Sequence, residues 1–416
     1  MDQLGDNHRF KQNLINFSIL SVSLLISMGN AISPALPSIA KSFPSIPLSI
    51  VDMIGTIQQF AVLLALFVSV AVARKIGIKY TIMTGIFLVG ISGLIPMFFN
   101  SFFLIMLSRI VLGCGIGFFN SLAIDIINVY FKGHEKERVK MCGIRTSFEP
   151  LGQCILNFAC GFLVMINWHV AFGISLAAIP VFLLYWKYVP NIHEGNAKPA
   201  KSKPKVHKSH AKVSLGIYIL AALLMFLVMC NTAITIEVPN IVSNLHLGNS
   251  AFSSLIISLN TLAAMFMGFE FSRMYGVLHR YTLSAGFVLI ALGSLIMFFS
   301  RGSFMVILGA IVSGISFPLS GSYVYALIGK VASKTTAALA ISVVLVGCNL
   351  GSFICPIGVS VLGRIGRFLD PSASMINSAF MMMFFLSFIV AIVMISITSY
   401  KYKQSSLRVH PNKMLG

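Results

Sequence analysis

The chain has 416 residues, 57% hydrophobic and only 10% charged, with 30 Lys and Arg against 11 Asp and Glu and a formal net charge of +19. Soluble domains carry about 25% charged residues and need them to cover their surface, so this composition excludes a water-soluble fold. Nucleic-acid binding, the usual reading of so basic a chain, is excluded by placement, because the basic residues fall in short polar segments between long apolar runs.

Twelve apolar runs follow one another at 14–33, 50–73, 80–99, 101–125, 144–166, 169–189, 215–237, 250–270, 281–300, 303–328, 335–361 and 377–400. About 20 apolar residues cross a hydrocarbon core as a helix. The runs lack the ten-residue alternation of barrel strands. The expectation is an all-α membrane protein of twelve transmembrane helices in two six-helix bundles. The first run is too long for a signal peptide and stays as a helix. Residues 1–190 form the N-terminal bundle and 215–416 the C-terminal bundle with a short tail. Between them, 191–214 (NIHEGNAKPAKSKPKVHKSHAKVS) is the Lys- and Pro-rich linker.

With both termini cytoplasmic, 25 of the 30 basic residues lie on that side, among them Arg9, Lys11, Arg74, Lys75, Lys136, Arg138 and six lysines of 198–212. The opposite loops hold only Lys41, Arg301, Arg364 and Arg367. The positive-inside bias therefore predicts a multi-pass cell-membrane protein with cytoplasmic N- and C-termini. Cysteines 114, 142, 154, 160, 230, 348 and 355 lie in or beside the apolar runs without metal-ligand spacing, so free thiols are expected.

The two halves match at an offset of 199 residues. Arg74 and Gly77 fall on Arg273 and Gly276, Gly115 on Gly314, Leu151-Gly152 on Leu350-Gly351, and Ile155 on Ile354. Around the first and seventh runs the offset is 202, pairing Pro37 and Ile39 with Pro239 and Ile241. Pseudo-symmetric bundles with a solute site at the midplane are a common transporter build.

The fourth run contains LSRIVLGCGIGFF, in which Arg109, Gly113, Gly115 and Gly117 form R-x-x-x-G-x-G-x-G. With the Gly77-x-Lys79 turn, Asp125 ending the fourth run, Glu137-Arg138 after it, and Trp168 with Phe172 at the next turn, the chain resembles the major facilitator superfamily over essentially its whole length. MGNAISPALPSIAKSF is similar to the first-helix exit of its drug/proton antiporter branch. Two motifs depart from the family. VAVARKIGIK places Val70 where a glycine is usual and Arg74 where the family has the aspartate of its cytoplasmic latch. The antiporter motif survives only as Gly161, with Leu156, Asn157 and Cys160 in its other places. The resemblance implies alternating access.

Polar groups inside apolar runs are costly and usually face a partner or a cavity. Arg109 lies about 12 Å into the membrane, counting 1.5 Å per residue from Ser101. It reads as a substrate or coupling group, or as a donor to helix carbonyls. Glu149, beside Pro150, reads as a proton carrier or as the i, i+4 partner of Arg145. Glu237 reads as a substrate or gate group, or as a residue reaching solvent. Neutral cavity candidates are Asn30, Gln58, Gln59, Asn120, Gln153, Asn157, Asn231, Asn260, Ser316, Tyr323, Tyr325 and Asn349. Arg74, Lys75, Gly77 and Asp125 are the candidate cytoplasmic gate. Glu270 and Arg273, also at that end, form a local pair.

No nucleotide-binding loop, metal cluster or nucleophile–His arrangement stands out, so neither an enzyme nor a bound cofactor is expected; an ion gradient, protons above all, supplies the energy. The predicted partners are a small-molecule substrate and the bilayer, with the protein acting as a monomer. The first functional expectation is proton-coupled transport of lipophilic or amphipathic organic compounds, with efflux favoured. The second is uptake or exchange of an organic anion, such as a conjugated bile salt, with Arg109 as its partner. A transport-inactive sensor on the same fold is the third.

Overall fold

Long apolar runs have no water to bond their backbone, and they satisfy it within helices. The structure, a computed structural model, describes residues 2–120, 122–131, 133–190, 214–331, 337–372 and 374–409. The predicted linker 191–214 lies, apart from Ser214, outside the described residues. No strand occurs among them.

Eleven stretches are long and apolar enough to cross a membrane, and one of them, Ser250–Phe298, spans 49 residues. That stretch is two helices joined by the tight turn His279–Tyr281, so the described residues hold twelve candidate membrane-spanning helices. They are α1 (Gln12–Ser42), α2 (Ile57–Ile76), α3 (Ile78–Phe98), α4 (Phe102–Tyr130), α5 (Glu135–Ile166) and α6 (Trp168–Tyr188). The second half continues with α7 (Leu215–Asn244), α8 (Ser250–Leu278), α9 (Thr282–Phe298), α10 (Ser303–Val331), α11 (Ala337–Leu369) and α12 (Met375–Val409). Several helices outrun their apolar windows: α5 begins nine residues earlier than 144 and α7 ends seven residues later than 237. Hydropathy marks the hydrocarbon core, whereas helical hydrogen bonding continues into the polar ends.

Two helices depart from regular winding, α6 through the short 3₁₀ stretch Phe172–Ala177 and α1 over a longer one. In α1, Val22–Ala35 is a 3₁₀ helix of 14 residues with Pro34 inside its last turn. A short helix, Leu48–Asp52, and the turn Met53–Gly55 lead into α2.

The chain divides into two compact units. The first comprises Met1–Lys212, Thr235–Thr261 and Ser352–Ile357; the second comprises Val213–Ile234, Leu262–Gly351 and Gly358–Gly416. Segment 235–261 belongs with the first because its helices pack against that unit's own. A Cβ on Gly161 would overlap Ser254, and Cys154 Sγ lies 3.7 Å from the Ser258 carbonyl. Thr56 Oγ1 likewise donates to the Phe353 carbonyl at 3.4 Å.

Matched glycines make matched joints inside the two units. A Cβ on Gly152 of α5 would overlap the backbone of Leu24 in α1; one on Gly351 of α11 would overlap the Met225 carbonyl in α7. In lipid, where no hydrophobic force drives helices together, such backbone approach supplies the packing. Gly77, at φ 88°, takes a backbone conformation that L side chains rarely adopt and makes the tight turn from α2 to α3. Two residues on, Lys79 Nζ donates to the carbonyls of Trp186 (3.0 Å) and Val189 (2.6 Å), filling orphan acceptors at the end of α6.

Gly152→Ala and Gly351→Ala should each destabilise by about 1–3 kcal/mol through overpacking. Gly268, whose Cβ would meet nothing within 4 Å, serves as control. Thermal unfolding of the purified protein should show lower Tm for the first two and none of that loss for Gly268→Ala. An unchanged Tm for both would mean these joints do not hold the helices.

Candidate functional site

The site is built on the first unit, where α4 lies against α2 through glycines four residues apart. A Cβ on Gly113 would overlap the Gln58 carbonyl, and one on Gly117 would sit 2.5 Å from the Ala65 Cβ. Arg109 is one turn before Gly113. It is 1% exposed, makes no ion pair with any described residue, and its Nε has no hydrogen-bond partner. Its guanidinium lies over the Phe172 ring, 4.8 Å from the centroid, a cation–π contact in place of a counter-charge. From Phe172 an aromatic chain runs to Trp168 (6.2 Å), Phe43 (6.2 Å) and Phe102 (5.6 Å). The Trp168 indole N–H donates to Ser42 Oγ at 2.9 Å, and His169 Nδ1 lies 2.7 Å from the Pro96 carbonyl.

The 3₁₀ winding of α1 eclipses residues three apart, so Ser27, Asn30 and Ser33 form one polar stripe. Asn30 Oδ1 accepts from Gln58 Nε2 and Gln59 Nε2, both at 3.3 Å. Gln58 also donates to the Gly55 carbonyl, while its buried Oε1 has no partner. A Cβ on Gly29 would sit 2.6 Å from the Gln58 side chain, so the stripe and this amide are pressed together.

On α5 the Arg145–Glu149 pair, one of the two readings of Glu149, does not close to ion-pair distance among the described residues. Arg145 Nη2 donates instead to Asn120, to its carbonyl at 3.1 Å and its Oδ1 at 3.2 Å, bracing α5 on α4. Glu149 and Gln153 are half-buried, and Asn157 is fully buried with neither side-chain atom partnered.

Glu237 does not reach solvent; at 2% exposure it is buried on α7 beside Asn240 (4%). Asn240 Nδ2 donates to Glu237 Oε2 at 3.0 Å and to Asp52 Oδ1, from the short helix before α2, at 3.4 Å. Asp52, also 2% exposed, completes a group of two carboxyls on one amide. Neither Asp52 nor Asn240 stands out in the sequence. The available signal was an acid at the edge of the second apolar run and an amide one helical turn after Glu237.

The other candidates lie apart. Asn260, in the first unit, is 6% exposed. In the second unit, Asn231 Nδ2 donates to the Ser313 carbonyl at 3.1 Å, Tyr323 lies 6.1 Å from the Tyr275 ring, and Asn349 bonds its own helix at Leu345. Of the gate candidates, Arg74, Lys75 and Asp125 are exposed, and Gly77 makes the turn described above. Glu270 and Arg273 form a surface ion pair at 3.0 Å.

The family model described as the Major Facilitator Superfamily matches residues 18–274. No curated protein matches the chain. Among solved structures it is similar to the peptide transporter POT in complex with sulfate, at 13% identity and TM-score 0.70, covering 92% of this chain and 94% of that one. It also resembles a D-xylose–proton symporter (14%, TM-score 0.68, 92% and 97% covered). A bacterial homolog of the human lysosomal transporter Spinster, inward-facing and unoccupied, matches at 15% and TM-score 0.64, with 94% and 96% covered. Identities this low bear on the fold alone. The family match takes in more than half of the sequence and every helix of the first bundle, and the chain belongs to the Major Facilitator Superfamily.

Proposed function

We propose that this secondary transporter moves amphipathic organic compounds bearing an acidic group, by alternating access and coupled to protons. One observation carries the reading: Arg109 is a cation buried in an apolar helix with an aromatic face and no carboxylate of a described residue beside it. A buried charge without a partner is costly, and a transporter can leave that place for its substrate. Among the described residues, no hydrogen bond from Arg109 supports its reading as a donor to helix carbonyls. The rings of Phe172, Trp168 and Phe43 suit the apolar part of such a substrate. The likeness to a D-xylose–proton symporter supports the fold of a solute carrier, while the acid-bearing substrate class rests on Arg109.

Binding and ΔpH-driven flux in proteoliposomes test the proposal. Arg109→Ala should weaken binding of an acidic amphiphile by about 2–5 kcal/mol and spare a neutral analogue of the same size. Equal loss for both, or none, would remove Arg109 as the anion's partner.

Glu149, within α5 beside Pro150, is the proposed coupling carboxyl. Glu149→Gln keeps its size and removes its proton exchange. The variant should bind substrate and exchange it at equal pH but fail to accumulate it down an imposed proton gradient. Full gradient-driven accumulation by Glu149→Gln would move coupling to another group.

We also propose that both termini face the cytoplasm. A cysteine at Ser45, between α1 and α2, should then react with an impermeant reagent in intact cells, and one at Lys136 only after permeabilisation. The reverse pattern would invert the topology.

A further inference from the structure

Asp52 and Glu237 come from opposite halves of the sequence, and each is buried to 2% exposure. One amide, Asn240 Nδ2, bonds an oxygen of each. Among the described residues the charged groups on the surrounding elements can be named: Arg74 and Lys75 of α2, Asp125 of α4, and Arg364 and Arg367 of α11 are all exposed. α1 carries only Lys41, which is exposed, and the segment from Leu48 to Gly55 carries only Asp52. α7 carries only Glu237, segment 352–357 carries none, and His246, after α7, is exposed. Arg109 on α4 is turned onto Phe172. Asp52 and Glu237 are thus held to one amide from two elements.

We propose that Asp52 and Glu237 form a proton-binding carboxyl pair that latches the C-terminal end of α7 to the segment leading into α2. Two buried carboxylates with no cation beside them repel one another in a medium that screens poorly. With one proton between them the repulsion is gone, and the amide bridges an acid and a carboxylate. Closing the latch therefore takes up one proton from water, and opening it to water returns that proton. The packing around the pair gives the latch its readout: a Cβ on Gly55 would sit 3.8 Å from Ile236, so α7 leaving this segment uncovers Ile236, which is 1% exposed when the latch is closed. Closure is favoured at acid pH and lost as pH rises, by up to about tenfold in the closed-to-open ratio per pH unit for one coupled proton. The pair extends the proton coupling proposed above to a second place in the chain, and it is independent of which substrate is carried.

The test needs neither substrate nor gradient, so it fails or succeeds separately from the transport proposal. In a background lacking the seven cysteines, Ile236→Cys is labelled with an impermeant maleimide between pH 5.5 and 8, in purified protein in nanodiscs. Rates are normalised to a cysteine at the exposed Ser45, which removes the reagent's own pH dependence. Normalised labelling should rise with pH by about tenfold or more. Asp52→Asn combined with Glu237→Gln leaves nothing to titrate and should give a flat profile. Either single substitution removes the repulsion and should move the rise to a different pH. These variants keep side-chain size; if the double variant does not purify as a folded protein, the singles carry the test. A flat profile in the unsubstituted pair, or the same profile in the double variant (or in both singles), would overturn the latch.

Discussion

Close backbone approach is the constraint on which the rest of this structure depends. Lipid tails are as apolar as leucine, so helices in a membrane gain little from hiding side chains from their solvent and much from touching closely. Here glycine makes that possible between α4 and α2 at Gly113 and Gly117, between α3 and α4 at Gly85 and Gly115, and between α5 and α1 at Gly152. Arg109, Gln58 and Glu149 are carried by these same helices, so their positions are fixed by contacts in which no functional group takes part.

The buried polar groups fall into two kinds. Many serines, among them Ser21, Ser69, Ser92, Ser108 and Ser316, turn onto a carbonyl one turn back in their own helix and are thereby satisfied locally. Such residues make an apolar helix look more polar than it behaves. Arg109 Nε, Gln58 Oε1 and both side-chain atoms of Asn157 have no such partner and are buried. An unsatisfied buried donor or acceptor costs about 1–3 kcal/mol. Unpartnered buried hydroxyls such as Ser284, Ser294 and Ser378 occur in the second unit too, but the unpartnered amide and guanidinium atoms among the described residues (Gln58, Arg109, Arg145 and Asn157) all lie on α2, α4 and α5, where binding or a change of state would repay that cost.

What the sequence made legible follows from which interactions leave a local mark. Length and apolarity of the runs fixed the twelve candidate crossings, because a bilayer imposes a length on every helix. The R-x-x-x-G-x-G-x-G spacing exposed both Arg109 and the glycine face beneath it. The offset of 199 exposed Gly152 and Gly351 as equivalents, but not their partners Leu24 and Met225, since a backbone contact demands no particular side chain. Arg145 looked like the partner of Glu149 from i, i+4 spacing alone; a neighbouring helix offered it two oxygens of Asn120, and tertiary geometry won. The bridge from Asn240 to Asp52 spans 188 positions, and no periodicity reaches that far.

The tight winding of α1 has a consequence of its own. A 3₁₀ helix rises about 2.0 Å per residue and an α-helix 1.5 Å, so the 14 residues from Val22 to Ala35 are about 7 Å longer than the same chain in α form. The two windings also differ by about 20° per residue, which over the six residues from Leu24 to Asn30 amounts to about 120°. The row of Ser27, Asn30 and Ser33 therefore exists only while this segment stays overwound. Relaxing it would shorten the helix like a screw drawn into its thread and carry Asn30 away from both glutamines of α2.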